Sequence, residues 1–598
     1  MQNNCHLSTL IHEQAKKYGS KPVLNFRMFG SLEWKAVSWK QFSLRVKQVS
    51  NAMLNLGIQP QENIAVFSQN CIQYLYTDFG AYGVRVVSIP IYATSSEQQI
   101  QYVVQDAGVR FLFVGEQEQY DKAHRIFPLC PTLERIIIFD HSVRISTHDP
   151  NALYFEDFVA LGENLPRQSQ VEKLWSEASM DDVCNIIYTS GTTGTPKGVM
   201  LAHRGLIMNV QEIKHSPSPE WTRALSWLPM CHIYERMMGY LYQWLCFEIA
   251  YAESIAKVGD NCKELSPHML ACVPRFIEKV YDKIYRKGEK MKGLRKKIFD
   301  WALDLAFHYD LDESKLSCWY KLQRRLADRL VYKEIRASMG GQLGMLVSGG
   351  ATIQPRLTRF FSCVGLDLYE GYGITECSPL IAVTNSDKKG RKIGSVGFAM
   401  REIEVRIDKD TNEIQCRGGN VMKGYYNQPE LTAQAIDAEG WFHTGDTGYF
   451  DPDGYLFITG RTKSMFKTSM GKFINPEVIE EKMKQSPFIL DMMVVGAEQK
   501  FAAALIAPDF DMLKDWCLRH GVDAQSREEM IADKRVVARF QKVVDKYNAE
   551  LGVTEQVRKF ALVADAWTEA NKMLTPTQKL IRRNVAAAYR EQIDALFN

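Results

Sequence analysis

The sequence predicts an α/β protein of several domains: a large N-terminal portion built from α/β sheets, a small barrel-like subdomain, and a small mobile α+β C-terminal domain. Three observations lead to this. The length of 598 residues corresponds to about four folding units at roughly 150 residues each. Short β-rich apolar runs alternate with helical patterns through the first 180 residues, and the pattern changes again after residue 460.

Composition places the chain among globular proteins and excludes several function classes. Hydrophobic residues make up 46% and charged residues 24%, which excludes generalised disorder. The formal net charge of +3 is too balanced for a polyanion to be the main partner, so nucleic acid is not expected. The 13 cysteines include no CxxC pair, which indicates a reduced compartment rather than a disulfide framework. Because the chain has neither a signal-peptide pattern nor a run of about 20 apolar residues, we expect a cytoplasmic location.

The first part of the chain is predicted to form an open sheet with crossover helices. Apolar runs at 63–68, 84–92, 109–115 and 135–140 are separated by helical segments such as EQQIQYVVQDAG. This alternation is typical of βαβ units. A further buried strand, VCNIIYTS at 183–190, runs into a glycine-rich loop. Loops at the carboxyl ends of such strands line the ligand crevice of doubly wound sheets.

Two later segments depart from this pattern. Residues 276–337 carry basic helical stretches without a clear strand, which predicts a helical insertion. Residues 401–460 have short, turn-rich runs such as EIEVRIDKD and DPDGYLFITG, which predict a small antiparallel or barrel-like subdomain. About 1–400 would then form the α/β subdomains.

The last domain boundary is the best marked. The sequence GRTK at 460–463 follows a strand and opens a new pattern, so we divide the chain into an N-terminal domain 1–460, a hinge 461–463 and a C-terminal lid 464–598. Asn475, Pro476 and Glu477 are suited to start the first lid helix, with a capping side chain, a proline and an acid in the first turn.

The loop YTSGTTGTPKG at 188–198 is the strongest chemical signal. It combines three glycines, five serine or threonine residues and one lysine directly after a strand. Glycines let backbone N–H groups approach an anion, hydroxyls donate to phosphate oxygens, and the lysine adds a charge. It is not a Walker A loop, since Lys197 follows a proline and precedes a glycine. A polyphosphate-binding loop is therefore favoured over a mobile polar surface loop.

Four other stretches complete the pattern: SGGA at 348–351, YEGYGITE at 369–376, TGD at 444–446 and GR at 460–461. They offer close backbone approach, an aromatic face, carboxylates suited to Mg²⁺ or ribose hydroxyls, and a guanidinium. Taken singly, each is a weak signal, and a structural turn or an exposed charge is the favoured explanation of a lone TGD or GR.

In this order the motifs resemble those of the adenylate-forming synthetases, whose cores read YTSGTTGxPKG, GYGxTE, TGD and GRxK. Within that superfamily the chain looks like a long-chain fatty acyl-CoA synthetase. The subfamily resemblance depends on PIYATSS (90–96), LPMCHIYER (228–236), AESIAKVGDN (252–261), CVPRFIEKVY (272–281), EIRASMGGQLGMLVSGGA (334–351) and LTPTQKLIRR (574–583).

The resemblance implies a role for each matching residue. The ATP phosphates would be held by Thr189, Ser190, Gly191, Thr192, Thr193, Gly194 and Lys197. Adenine would be surrounded by Gly350, Ala351, Glu370, Gly371 and Tyr372. The α-phosphate would touch Thr375, Mg²⁺ would bind Glu376, and the ribose would be held by Asp446 and Arg461.

Three further positions match the family. Lys579 matches its catalytic lysine, and Lys463 matches the hinge about which the C-terminal domain turns. His232 falls where the family places an aromatic or histidine near the acyl carboxylate, although a histidine in an apolar run is also a common core residue. Met470 stands in TSMGK where related sequences often show TSGGK, so no coenzyme A contact is assigned.

The implied reaction converts a fatty acid, ATP and coenzyme A into acyl-CoA, AMP and pyrophosphate. The attacking carboxylate is ionised near neutrality and needs no general base, so the site must supply charge neutralisation. Two alternatives stay open. One is an adenylate-forming ligase that activates another carboxylic acid or loads the acyl group onto an acyl carrier protein, and the other is a catalytically silent lipid-binding scaffold on the same fold. The charged residues of the motifs are all present, which argues against a catalytically silent protein; they are Lys197, Glu376, Asp446, Arg461 and Lys579.

The basic stretch at 286–297 is followed by apolar residues up to 307. We favour a solvated helix here; the alternative is reversible contact with anionic lipid at the inner face of a membrane. The sequence leaves the acyl chain length and the oligomeric state open.

Overall fold

The protein is described here by a computed structural model that covers residues 6–27, 33–147, 149–190, 196–387, 389–462, 465–469, 472–575 and 579–598. The chain divides into two compact units. Unit 1 consists of Met1–Val273, Met291–Arg406 and Gln415–His443, and unit 2 of Pro274–Lys290, Ile407–Ile414 and Thr444–Asn598.

The described residues form the following strands: β1 (Pro22–Phe26), β2 (Lys35–Ser38), β3 (Asn63–Phe67), β4 (Val87–Ile91), β5 (Phe111–Val114), β6 (Arg135–Ile138), β7 (Ala152–Tyr154), β8 (Val183–Ser190), β9 (Pro196–Ala202), β10 (Arg223–Ser226), β11 (Glu248–Tyr251), β12 (Met269–Cys272), β13 (Met345–Gly349), β14 (Asp367–Gly373), β15 (Leu380–Val383), β16 (Phe398–Ala399), β17 (Ile403–Ile407), β18 (Glu413–Gly418), β19 (Gly424–Tyr425), β20 (Phe442–Phe450), β21 (Leu456–Arg461), β22 (Phe466–Lys467), β23 (Phe473–Ile474), β24 (Ile489–Val495), β25 (Ala502–Pro508) and β26 (Val557–Leu562).

The helices are α1 (Leu7–Tyr18), α2 (Trp39–Asn55), α3 (Ile72–Gly83), α4 (Glu97–Asp106), α5 (Gln117–Ile126), α6 (Phe155–Ala160), α7 (Gln168–Glu177), α8 (His203–Ile213), α9 (Ile233–Trp244), α10 (Val258–Leu265), α11 (Pro274–Glu289), α12 (Gly293–Phe307), α13 (Cys318–Ala327), α14 (Lys333–Ala337), α15 (Pro355–Val364), α16 (Pro429–Ala435), α17 (Pro476–Met483), α18 (Phe510–His520), α19 (Arg527–Ala532), α20 (Lys534–Asn548), α21 (Arg582–Ala588) and α22 (Arg590–Phe597). No helix among the described residues combines the length and apolar content that a bilayer crossing needs.

Unit 1 contains two large sheets. One has the strand order β16-β15-β14-β13-β12-β10-β11-β1-β2 and the other β19-β9-β8-β4-β3-β5-β6-β7. Their central strands pair in parallel; antiparallel pairs lie at both edges of the first sheet and at the β19 edge of the second, while β7 pairs in parallel at the other edge. Central strands such as β3 and β5 are fully buried, as expected where helices cover both faces of a parallel sheet. The α/β prediction is confirmed, and the four predicted strands of the first 140 residues are β3 to β6.

A buried ion pair joins two helices of unit 1. Arg236 of α9 contacts Asp78 of α3 at 2.6 Å between Nη1 and Oδ2, with both side chains almost wholly buried. The Ser88 hydroxyl donates to the other carboxylate oxygen of Asp78 at 2.6 Å, and Arg236 also donates to the hydroxyls of Tyr74 and Tyr82. This network fixes α9, and therefore the residues that begin it.

The segment predicted as a helical insertion contains α11 to α14 and no strand, but it is shared between the units. Helix α11 belongs to unit 2, where Arg275 pairs with Asp491 at 3.0 Å and Arg286 with Asp509 at 2.8 Å. Helix α12 belongs to unit 1, and its apolar side chains, Leu303 among them, are buried. Within 286–307, Arg286 and the apolar side chains of α12 therefore have partners inside the protein, whereas most of the lysines are exposed.

Four strands, in the order β17-β18-β20-β21, form the small β sheet predicted for 401–460. Unit 2 contains a three-stranded sheet, β24-β25-β26. Along β25 alternate residues enter two different apolar clusters: Ala504 packs with α17 and α20, and Leu505 packs with Trp567, Val585 and Tyr589. Both faces of this sheet are buried because successive side chains of a strand point to opposite faces. The C-terminal segment 567–598 is thus held against one of them.

Candidate active site

The residues on either side of the predicted phosphate loop form two paired strands of unit 1. Thr189 at the end of β8 faces Lys197 at the start of β9 in an antiparallel register. A Cβ on Gly198 would lie 2.8 Å from Ile186, so the two strands approach as closely as glycine allows here. The predicted contacts of Gly191, Thr192, Thr193 and Gly194, and of the Ser190 side chain, lie outside the described residues.

Glu376 is brought close to Lys197 by a residue that sequence reasoning missed. The hydroxyl of Tyr425 donates to Glu376 Oε1 at 2.9 Å, and the Lys197 ammonium lies 5.0 Å from the centre of the Tyr425 ring. Tyr425 reaches this position because β19 pairs with β9, opposite Val199. Burial, followed by the Glu376 carboxylate, raises the pKa of the Tyr425 phenol, so the phenol stays a donor.

We expect Tyr425→Phe to lower kcat/KM for ATP by about 1 kcal/mol, or roughly fivefold, because it removes the hydrogen bond to Glu376 and keeps the ring beside Lys197. The measurement is the ATP dependence of pyrophosphate release. Tyr449→Phe, at an exposed tyrosine of β20, is the matched control. An unchanged kcat/KM in Tyr425→Phe would mean that the hydrogen bond does not serve the site.

The two segments predicted to surround adenine are neighbours in the structure. Strands β13 and β14 are parallel, with Ser348 beside Glu370 and Gly349 beside Gly371. Gly350, with a φ of 85°, and the exposed Ala351 follow β13, while Tyr372 is the last residue but one of β14, before the 3-10 turn of Thr375 and Glu376. The carboxyl ends of adjacent parallel strands thus gather these predicted residues at one sheet edge.

The Glu370 carboxyl group is turned into the fold. It is buried, and it accepts a hydrogen bond from the Thr358 hydroxyl at 3.2 Å, while the backbone N–H of Glu370 donates to the Thr384 hydroxyl at 2.8 Å. Burial raises the pKa of this carboxyl group to about 8. The side chain of Glu370 is therefore committed to internal contacts, and its predicted place around adenine stays a prediction.

His232 caps the helix that begins beside the same sheet edge. Its Nδ1 accepts a hydrogen bond from the backbone N–H of Tyr234 at 3.2 Å, at the start of α9. The Tyr234 hydroxyl donates to the carbonyl of Val347 in β13 at 2.7 Å, and its ring lies against Gly349. His232 therefore has a structural role as a cap and stands near the strand that leads to Gly350.

In unit 2, the two residues predicted to hold ribose form an ion pair. Asp446 and Arg461 are opposite each other in β20 and β21, and their side chains meet at 3.1 Å. The Thr444 hydroxyl donates to the carbonyl of Ile414 at 2.6 Å and accepts from the backbone N–H of Asp446 at 3.0 Å. Gly445, with a φ of 72°, allows this turn. The TGD motif thus places a buried carboxylate beside a half-exposed guanidinium.

Gly460 couples this pair to the first helix that follows. A Cβ at Gly460 would lie 1.8 Å from the amide nitrogen of Asn475, which donates to the carbonyl of Thr459 at 2.6 Å. The same side chain accepts from the backbone N–H of Glu477 at 3.2 Å and caps α17. The predicted N-cap is confirmed.

Lys579 joins this cluster from a distant part of the chain. Its backbone is fixed to Thr575, whose hydroxyl accepts from the Lys579 N–H at 3.0 Å and whose N–H donates to the Lys579 carbonyl at 2.8 Å. Burial lowers the pKa of the partly buried Lys579 to about 8; the charge of Arg461 lowers it further, whereas the charges of Asp446 and Glu477 oppose the shift. Lys463, the predicted hinge residue, lies outside the described residues.

A second ion pair in unit 2 anchors the chain just after Lys579. Arg582 contacts the buried Glu480 of α17 at 2.5 Å, and the other Glu480 oxygen accepts from the backbone N–H of Val494 in β24 at 2.6 Å. Sequence reasoning missed this anchor; its only signal was the arginine pair after Leu580. The anchor ties the lysine-bearing segment to both the helix and the sheet of unit 2.

Comparison with protein families gives two matches that together span most of the chain. The family described as AMP-binding enzyme matches residues 11–426. The family described as AMP-binding enzyme C-terminal domain matches residues 464–598.

Curated relatives match over nearly the full length of this chain. Long-chain-fatty-acid--CoA ligase FadD15 of Mycobacterium bovis is 30% identical over 572 residues, which cover 94% of this chain and 93% of that protein. Long-chain-fatty-acid--CoA ligase 1 of Homo sapiens is 28% identical over 602 residues, which cover 95% of this chain and 82% of that protein.

Solved structures share the fold. The A domain of carboxylic acid reductase from Segniliparus rugosus, in complex with AMP and a co-purified carboxylic acid, has a TM-score of 0.75 at 20% identity, covering 100% of this chain and 95% of that chain. Anthranilate CoA ligase AuaEII, in complex with anthranoyl-AMP, has a TM-score of 0.72 at 16% identity, covering 100% of this chain and 99% of that chain. At these identities the likeness establishes the fold.

Proposed function

The chain belongs to the AMP-binding enzyme family of adenylate-forming enzymes, and from this premise we propose that it activates a long-chain fatty acid with ATP to acyl-AMP and transfers the acyl group to coenzyme A. The products are fatty acyl-CoA, AMP and pyrophosphate. One observation carries the proposal: Asp446, Arg461 and Lys579, which come from three separate segments, share one charged cluster in unit 2.

The cluster has the chemistry that the first half-reaction needs. A fatty carboxylate is ionised near neutrality, so its attack on the α-phosphate brings two anions together without proton removal. A lysine ammonium that bridges carboxylate and phosphate would offset this repulsion in the transition state. In our proposal Lys579 supplies that ammonium, while Asp446 and Arg461 hold the ribose hydroxyls.

We propose that residues of the predicted phosphate loop hold the ATP phosphates. Lys197 supplies a charge on β9, and we propose that Glu376 holds the Mg²⁺ that accompanies ATP. Mg²⁺ usually keeps several waters and takes one or two carboxylates together with substrate phosphates. The single carboxylate of Glu376 would suit an ion that arrives with ATP, where the ion would neutralise charge on the departing pyrophosphate.

The second half-reaction needs access for a thiol where Lys579 stood. We propose that the segment after the hinge at 461–463 turns to remove Lys579 and admit coenzyme A. Lipid-activating relatives over nearly the whole length support coenzyme A and a long acyl chain as the acceptor and the substrate.

The deciding experiment is acid-dependent pyrophosphate release with acids from acetate to oleate, followed by thioester formation with coenzyme A or a holo-carrier protein. We expect the largest kcat/KM with long acids and transfer to coenzyme A. Release with acetate alone would overturn the chain-length assignment, and transfer only to the carrier would overturn the acceptor. No release with any acid would favour a silent scaffold.

The shifted pKa of Lys579 predicts a pH dependence for adenylation alone. The active form is the charged ammonium, and the pKa is lowered to about 8, so the ammonium is present below that pH and lost above it. The rate of acyl-AMP formation should therefore fall as the pH rises through about 8, which gives an alkaline limb in the pH profile. Lys579→Arg, which keeps its charge, should remove that limb in single-turnover assays. A limb that persists in Lys579→Arg would assign the titration to another group.

A further inference from the structure

An exposed apolar stripe runs along one helical segment of unit 1. The segment comprises α13, a π-helical turn at Asp328–Tyr332, and α14. Its exposed large apolar side chains are Trp319 (66% exposed), Leu322 (55%), Leu326 (51%) and Leu330 (47%). They recur every three or four residues, so they lie along one face of the helix.

The opposite face of the segment is packed and hydrogen-bonded. Ala327, Val331 and Ile335 are buried. The hydroxyl of Tyr320 donates to the carbonyl of Leu305 in α12 at 2.7 Å, and the hydroxyl of Tyr332 donates to the carbonyl of Ala302 at 2.7 Å. The stripe is therefore carried by an anchored helix.

A row of cations follows the stripe. Lys321, Arg325, Arg329 and Lys333 are spaced four residues apart and are all exposed. None of the four forms an ion pair with another described residue, whereas Arg324 and Arg336 of the same segment pair with Glu313 and Asp328. Between 318 and 333 the one acidic residue is Asp328, whose carboxylate pairs with Arg336.

We propose that this surface, Trp319–Lys333, docks the protein reversibly on an anionic lipid bilayer. A helix with a leucine and tryptophan face bordered by cations is suited to the headgroup boundary, where apolar side chains enter the acyl region and cations meet anionic headgroups. A second copy of the chain fits less well, because two copies of the cation row would face each other and repel. The site differs from the segment 286–307 that composition alone suggested, where Arg286 and Leu303 have internal partners.

The test is co-sedimentation of the full chain with vesicles of phosphatidylcholine and phosphatidylglycerol, and with vesicles of phosphatidylcholine alone. We expect binding to the anionic vesicles that weakens with salt. Leu322→Glu with Leu326→Glu should weaken binding about a hundredfold, since two leucines no longer enter the bilayer. Leu518→Glu, at a leucine of α18 that is 73% exposed, should bind as the unchanged protein does.

Charge reversal separates the electrostatic contribution. Lys321→Glu with Arg325→Glu should weaken binding to anionic vesicles at least 25-fold, at about fivefold per cation. Lys534→Glu with Lys542→Glu, at exposed lysines of α20, makes the same change in net charge and should have little effect. Circular dichroism melting of each variant verifies that it is folded.

A spectroscopic readout reports the depth of Trp319. Brominated lipid should quench part of the tryptophan fluorescence of the unchanged chain, and Trp319→Phe should remove that part while preserving co-sedimentation. The proposal is overturned if the chain ignores anionic vesicles, if the control variants lose binding equally, or if sedimentation shows a dimer that Leu322→Glu dissociates. None of these readouts requires ligase activity, so they are independent of the proposed function.

Discussion

Lys579→Ala is expected to slow acyl-AMP formation by about 10- to 150-fold while thioester formation from preformed acyl-AMP stays close to that of the unchanged protein. The range is the rate equivalent of one charged hydrogen bond of about 1.5–3 kcal/mol, and a contact made only in the transition state can exceed it. The asymmetry follows from the proposed chemistry. Only the first half-reaction brings a carboxylate and the α-phosphate together, and only there does an ammonium between them lower the barrier.

The two half-reactions are measured separately by rapid quench, with radiolabelled ATP for the first and synthetic acyl-AMP plus coenzyme A for the second. Lys514→Ala is the matched control, because Lys514 is an exposed lysine on α18 of the same unit. Equal losses in both half-reactions would contradict the role of Lys579 and indicate a general disturbance of unit 2.

Much of the fold and part of the site are predictable from local pattern. Asp446 and Arg461 were predicted from short motifs after two strand-like runs, and they meet because those runs, β20 and β21, pair antiparallel. Asn475 was predicted as a helix cap from its neighbours alone, and it also fills the space that Gly460 leaves. In each case the interaction is between residues close in sequence, or between strands that follow each other.

The features that were missed depend on contacts between distant segments. Tyr425 meets Glu376 and Lys197 because the two-residue strand β19 pairs with β9, which no local pattern specifies. In the sequence, Arg286 resembles a solvent-exposed charge on a helix, whereas in the structure it forms an ion pair with Asp509. Glu370 was predicted for its motif, but the direction of its carboxyl group depends on how α15 packs on β14.

The largest effect on stability is expected at the buried pair of Asp78 and Arg236. Removing one partner of a buried ion pair leaves an uncompensated charge and costs about 3–5 kcal/mol. Arg236→Met should therefore lower the free energy of unfolding of unit 1 by about this amount in urea titrations. It should also lower activity as α9 loosens, because the helix capped by His232 loses its link to α3. Arg45→Met, at a half-exposed pair with Glu156, should cost less than 1 kcal/mol.

The loss in Arg236→Met should depend on pH with a defined sign. Burial already raises the pKa of Asp78, although the charge of Arg236 opposes the shift. Without Arg236 the pKa of the Asp78 carboxyl group in the folded state must rise further. Near neutrality this group is then protonated in the folded variant and ionised in its unfolded chain. Stability relative to the unchanged protein should then recover as pH falls and decline as pH rises through that pKa. Asp78→Leu with Arg236→Met leaves no buried charge and should lose less than Arg236→Met alone. The free energies of unfolding of the single variants Asp78→Leu and Arg236→Met complete the comparison. If the loss in the double variant equals the sum of the two single losses, the two residues are not coupled, and α9 is fixed by its tyrosine contacts instead.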